Sequence, residues 1–243
     1  MEAVYIILII FSILVFIGIT IGGAANAVVK KLIKTYADSS STISKTASEF
    51  CKNVLVKKKI DVQVARIPGS DNACYDYQNK VIALSDNVYS SYSQVYIAMA
   101  AHETGHAIQD AQETAKFRIY KRLNIGSKIL TPIFWLAFFT AIILLIAIPY
   151  EPLYSLIAFA VMGASMILEF TFKWITVSME KQASKFAIEI LQEEGFTEDE
   201  LYLAQNLYKA ALTTYISGVF DPVIKIFNAI TWVIYHTIGR LFR

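Results

Sequence analysis

The chain has 243 residues, 56% of them hydrophobic, and a mean hydropathy of +0.48, which is too apolar for an ordinary soluble domain and points to the membrane class. Twenty-two basic against 20 acidic residues leave a net charge of +2, and this near balance offers nothing to a nucleic acid. Two cysteines, Cys51 and Cys74, are too few for a disulfide framework and lack Cys-x-x-Cys spacing, so both are expected to be reduced thiols on the cytosolic side, buried or inert, without a bridge between them.

Ala3 to Val29 carries no charge. About 20 apolar residues cross a bilayer, so residues 1–29 are expected to form an N-terminal transmembrane helix. The run is too long for the core of a cleaved signal, and no basic residue precedes it. Lys30, Lys31 and Lys34 follow, which by the positive-inside rule sets this end in the cytoplasm. Residues 30–128 then form a cytoplasmic catalytic part.

That part begins with a polar linker, 37–45, and a helix from Thr46 to Val56 with Phe50, Cys51, Val54 and Leu55 on one side. Lys57-Lys58-Lys59 reads as a solvated helix end, with anionic lipid as the other reading. Asp61 to Ile67 alternates as a strand, Pro68 to Asn72 is a turn, and Ala73–Asp76 with Lys80–Ser85 reads as a hairpin. The edge of this small sheet either pairs with an extended peptide or simply covers the next helix.

Asp86 to Ser93 is a turn, with Ser93 as helix cap. From Gln94 the spacing is helical, with Val95, Ala98, Met99, His102, His106 and Gln109 along one broad side, to an end near 110–114. This helix contains His102-Glu103-Thr104-Gly105-His106, the His-Glu-x-x-His pattern of zinc hydrolases. Residues four apart stack on a helix, so two imidazoles, good zinc ligands, face one point. Glu103 leaves the helix beside them, placed to take a proton from metal-activated water. The competing reading is coincidence, but the chain has only three histidines and two are here. A purely structural zinc more often uses cysteine thiolates. Gly105 leaves room for the sheet or for substrate.

Lys116, Arg118, Lys121, Arg122 and Lys128 lead into an uncharged run, Ile129 to Tyr150. After a tight turn at 149–152, Leu153 to Val177 is apolar apart from Glu169 and Lys173, so 129–177 reads as a transmembrane hairpin with both feet in the cytoplasm. Glu169 and Lys173, four apart, are expected to pair along their helix and snorkel.

A catalytic zinc usually takes a third protein ligand. Asp110 and Glu113 turn away from the histidines along their own helix. Glu180 is the expected ligand, opening a helix that runs to about Glu194 with Gly195 as its stop. Ser184, one turn on, is placed to hydrogen-bond a ligand. Two spans separate His106 from Glu180, so both return to one side of the membrane. Residues 178–212 are thus the helices carrying the third ligand, and Thr197 caps the second of them. His236 is a rival ligand. Tyr208 and Tyr215 are candidates for binding the oxyanion, against ordinary packing, since the chain has 14 tyrosines. The last segment, 213–243, is a membrane-associated helix broken at Asp221-Pro222. Its part 223–238 either crosses or lies in the interface with Trp232 and Tyr235 at headgroup depth.

From about Thr46 to Tyr215 the chain resembles the YugP-type membrane zinc metallopeptidases, a gluzincin-like group. The likeness rests on Tyr75-Asp76-x-x-x-Lys80 leading into Leu84-Ser85-x-x-Val88-Tyr89, on Ala101-His102-Glu103-x-Gly105-His106-Ala107-Ile108-Gln109, on Asn124-Ile125-Gly126-Ser127-Lys128 and on Glu180-x-x-Ala183-Ser184. It implies a zincin-like catalytic domain, His102, His106 and Glu180 as zinc ligands, and Glu103 as general base. The family tends to have Asp-His before Tyr75-Asp76 and proline after; this chain has Ala73-Cys74 and Tyr77, a departure that bears on substrate preference.

The expectation is a mainly α membrane protein with a small β-sheet before the His-Glu-x-x-His helix. It is multi-pass in the cell membrane, with a Zn2+-dependent endopeptidase site facing the cytoplasm and acting on peptides or membrane proteins. The bilayer is its environment, nucleic acid is no partner, and a homo-oligomer or regulatory membrane partner is left open. The rival readings are a lipid amidase, a scaffold with structural zinc, and the inverted orientation, which labelling of Cys51 would distinguish.

Overall fold

The structure, a computed structural model, describes residues 2–148 and 150–238, with the side chains of 2–8, 11, 14, 125–127 and 230–238 outside the description. Its elements are α1 (Glu2–Tyr36), α2 (Ala47–Lys57), β1 (Gln63–Ile67), β2 (Ala73–Asp76), β3 (Val81–Ser85), α3 (Asp86–Tyr89), α4 (Gln94–Ala111), α5 (Ala115–Ala147), α6 (Pro152–Glu193), α7 (Glu198–Gly218) and α8 (Asp221–Ile238). They divide between two units, Met1–Gly22 with Ile119–Thr176 and Tyr215–Arg243, and Gly23–Arg118 with Val177–Thr214.

The second unit is built around α4. The predicted helix after the linker starts at Thr46, whose hydroxyl accepts from the Glu49 N–H while Glu49 accepts from the Thr46 N–H, a complete capping box. Phe50, Cys51, Val54 and Leu55 of α2 are buried together with Ile82 and Leu84 of β3, Val95 and Ile97 of α4, Ile190 and Leu191 of α6, and Leu207 of α7. The sheet has the order β1-β3-β2. β2 and β3 form the expected antiparallel hairpin, with Tyr75 opposite Ile82, and β1 lies parallel to β3 on its other side. The hairpin turns where the Asp76 carboxylate accepts from the Gln78 and Asn79 N–H groups.

The linker is tied down. Glu200, buried in the first turn of α7, accepts from the Ser41 and Thr42 hydroxyls and the Thr42 N–H, and caps its own helix through the Thr197 N–H. Of the lysines expected to be solvated, Lys57 and Lys58 are partnered. Lys57 and Lys45 both bind Glu194, and Lys58 binds Glu193.

Four helical stretches of the described residues are long and apolar enough to cross a membrane: Val15–Tyr36, Lys128–Ala147, Pro152–Glu193 and Glu198–Ala229. The last begins in α7, ahead of the expected 223–238; Trp232, Tyr235 and His236 lie outside the described side chains. Leu136, Ile143, Ile146, Leu156 and Ile167 stand exposed, as lipid-facing side chains do. The basic approach before the hairpin is not a separate element: α5 runs unbroken from Ala115. Likewise, α6 is one helix of 42 residues, so Glu180 arises within it and opens no new helix. At about 1.5 Å per residue such a helix measures roughly 60 Å, about twice the hydrocarbon thickness.

Within the first unit the expected Glu169–Lys173 pairing does not form. Glu169 instead receives Lys225 of α8 at 2.6 Å, with Thr131 of α5 on the same ammonium, and Lys173 pairs with Asp221 at 2.6 Å. Glu169 is only 6% exposed. Pairing between helices gives these charges closer partners than their own helix does.

Candidate metal centre

α4 begins at Ser93, the expected cap residue, but the hydroxyl donates to the Tyr36 carbonyl at 2.7 Å and makes no cap bond. The helix then carries His102, Glu103 and His106 on the side facing α6 and β2. The two imidazole rings stand 4.8 Å apart, edge to face. α6 brings Glu180 to them: its Oε2 lies 3.0 Å from His102 Nε2 and 3.4 Å from His106 Nε2. One ligand atom from each of the three falls within 4.8 Å of the others. His106 and Glu180 are buried, His102 half-buried.

Gly105 explains how two helices come this close. A β-carbon there would stand 2.5 Å from the carbonyl oxygen of Ala183 in α6. The room it leaves is therefore filled by α6, the helix that carries Glu180, and neither by the sheet nor by substrate. Ser184, one turn past Glu180, donates to the Glu180 carbonyl at 2.9 Å and lies 3.4 Å from His102 Nδ1.

Glu103 is flanked by both imidazoles and accepts from the backbone N–H of Tyr75 in β2. Burial raises its pKa above the usual carboxylate value, against the pull of His102 and His106. For His106, burial opposes the charge, but the Glu180 carboxylate hydrogen-bonded to it prevails and lifts its pKa to about 9.

Three residues around the cluster were given no role at the site by the sequence. Gln109, fully buried, bridges His106 and α6. Asp110, also buried, accepts from the Tyr75 hydroxyl at 2.7 Å and from Lys80, which pins the hairpin to α4. Phe117 packs 6.2 Å from the His106 ring and against Tyr75 and Tyr77. The signal for the first two was present, since polar residues fell on a helix face that is otherwise apolar. The Tyr208 hydroxyl donates to the Ala98 carbonyl at 2.6 Å, and its ring sits 5.4 Å from that of His102. Tyr215 belongs to the other unit and is 41% exposed. The structure therefore gathers His102, Glu103, His106, Glu180 and Ser184 at one place. It commits Tyr208 to the α4 backbone and leaves Tyr215 outside the unit that holds the cluster.

Two imidazole nitrogens and one carboxylate oxygen are a donor set that could hold a catalytic zinc, so these residues fit that ion. The family described as "Putative neutral zinc metallopeptidase" matches residues 8–234. The "Putative membrane protease YugP" of Bacillus subtilis (strain 168) is 25% identical over 218 residues, covering 87% of this chain and 90% of that protein. No solved structure matches the chain.

Proposed function

The chain belongs to the neutral zinc metallopeptidase family, and from that membership we propose a membrane-embedded endopeptidase that hydrolyses peptides or membrane proteins at the His102–His106–Glu180 cluster. The observation that carries this reading is the arrival of Glu180 beside two histidines of one helical turn, with the Glu103 carboxylate alongside and outside the ligand group. His102, His106 and Glu180 hold the ion. Zinc so held supplies Lewis acidity, polarising a carbonyl and lowering the pKa of water from about 15.7 to ~7.

Glu103 does the proton work. It takes a proton from the attacking water, the water oxygen bonds to the scissile carbonyl carbon, and the C–N bond breaks as Glu103 returns the proton to the leaving amine. The raised pKa of Glu103 suits both halves of this exchange, because a carboxyl that is too acidic does not hold the proton between them. The Tyr75 N–H fixes where the carboxylate sits. β2 is an edge strand packed beside α4, and an extended peptide adding to that edge lies across the cluster. Cys74, exposed on the strand, stands where the family departure falls, so this edge is where substrate preference is set. The lysines after α1 and those leading into α5 support a site on the cytoplasmic side.

The test is Glu103→Gln. The variant should keep zinc content and melting temperature while cleavage of an unfolded protein substrate falls by about 100-fold or more. Undiminished cleavage rejects Glu103 as the base. Glu180→Ala should lose most of its zinc on dialysis, and an unchanged metal content rejects Glu180 as ligand.

A further inference from the structure

Of all the buried polar groups the proposed mechanism leaves unused, Gln109 touches the most of the machinery. It is fully buried, on the α4 face that carries both histidines. Its amide nitrogen donates to the Met179 carbonyl at 2.9 Å and to Gln182 Oε1 at 3.2 Å. Its amide oxygen lies 2.9 Å from His106 Nδ1.

The orientation of this amide is determined. A backbone carbonyl only accepts, so the atom facing Met179 must be the NH2, and the atom facing His106 must be the oxygen. An amide oxygen only accepts in turn, so His106 Nδ1 must carry a proton. The Nε2 lone pair is then left for the cluster, where Glu180 Oε2 lies 3.4 Å away. Met179 is the residue before Glu180, so the same side chain that sets the tautomer of His106 also grips the backbone beside the third ligand. Gly105 and Gln109 are four apart on α4, and they meet Ala183 and Met179, four apart on α6. These two contacts hold the helices in register: the glycine lets them approach, and the glutamine stops them sliding.

We propose that Gln109 is a positioning residue, which presets His106 as the Nδ1–H tautomer and locks α6 in the register that delivers Glu180. This rests on the reading of His106 and Glu180 as metal ligands. Groups that orient a ligating histidine typically change metal affinity about 10- to 100-fold when removed.

The experiment uses the full chain in detergent micelles with zinc alone, and with cobalt(II) as a spectroscopic substitute. Gln109→Met keeps the length of the side chain and removes all three of its hydrogen bonds. Its zinc affinity, from chelator competition, should fall about 10- to 100-fold with the fold intact, and its cobalt(II) visible spectrum should shift. Wild-type affinity together with a wild-type spectrum overturns the proposal. Should the variant not fold, nitrogen-15 shifts of the wild-type histidines in the zinc-loaded protein decide. A protonated Nδ1 and a metal-bound Nε2 at His106 support the proposal, and the reverse overturns it. His106→Ala separates the two levels: zinc retained there means the metal-site reading has failed, whereas zinc lost there but undisturbed in Gln109→Met means only the role of Gln109 has failed.

Discussion

At Gly105 the missing side chain works against local preference. Alanine favours a helix interior over glycine by about 1 kcal/mol, so helix propensity alone predicts that Gly105→Ala stabilises. Against this stands the Ala183 carbonyl oxygen, 2.5 Å from the added carbon, which is backbone and has no rotamer by which to withdraw. Overpacking of this kind costs about 1–3 kcal/mol, so the clash should win. Gly105→Ala is expected to lower the melting temperature modestly and to weaken zinc binding as α6 is pushed from α4; a higher melting temperature with zinc binding unchanged would show that α6 moves without cost. The histidine pair was legible in the chain because four-residue spacing is a local property of a helix. The reason for the glycine between them was not, because the atom it avoids lies 78 residues further on.

Between elements, charge decides what propensity leaves open. Glu169 and Lys173 are four apart on α6, as are Asp221 and Lys225 on α8, so each helix offers a self-contained pair. The structure crosses them instead, Glu169 with Lys225 and Lys173 with Asp221. Breaking a buried pair from one side costs about 3–5 kcal/mol, because the remaining charge is left without a partner. Lys225→Met should therefore destabilise the protein by about 3 kcal/mol in detergent unfolding, and adding Glu169→Gln should recover most of the loss. A single variant as stable as wild type would mean that Glu169 reaches water.

Glu194, whose side chain is 8% exposed, holds Lys45 and Lys57. The Lys45 hydrogen bond is the main cause holding its carboxyl below the ordinary value of 4.5. A carboxyl depressed in the folded state adds stability that is complete above 4.5 and is lost as pH falls below it toward the lowered folded-state value. Glu194→Gln should cost about 1 kcal/mol at neutral pH, and this difference should vanish in acid, as seen in urea unfolding midpoints against pH. A difference that persists unchanged below that window would mean packing, and not charge, is what the substitution removes.

For the whole molecule, the proposed cytoplasmic site is read out by thiol labelling. Cys51 is fully buried, bonded to Thr104 and the Ala100 carbonyl, and burial pushes its thiol up to about 12, so it is no label for topology. Cys74 is exposed on β2. A membrane-impermeant maleimide should therefore modify one thiol in inverted vesicles and none in right-side-out cells, and the opposite pattern would set the site outside. The sequence by itself determined what is local or additive: the apolar spans, the histidine pair with its glutamate, and the Thr197 cap. Only the tertiary structure decided that α6 runs unbroken to Glu180, that Gly105 and Gln109 set its register, and that the membrane charges pair across helices. Periodicity records which face a residue occupies on its own element, whereas a clash with a distant carbonyl or a choice between two equally charged partners exists only once the elements have met.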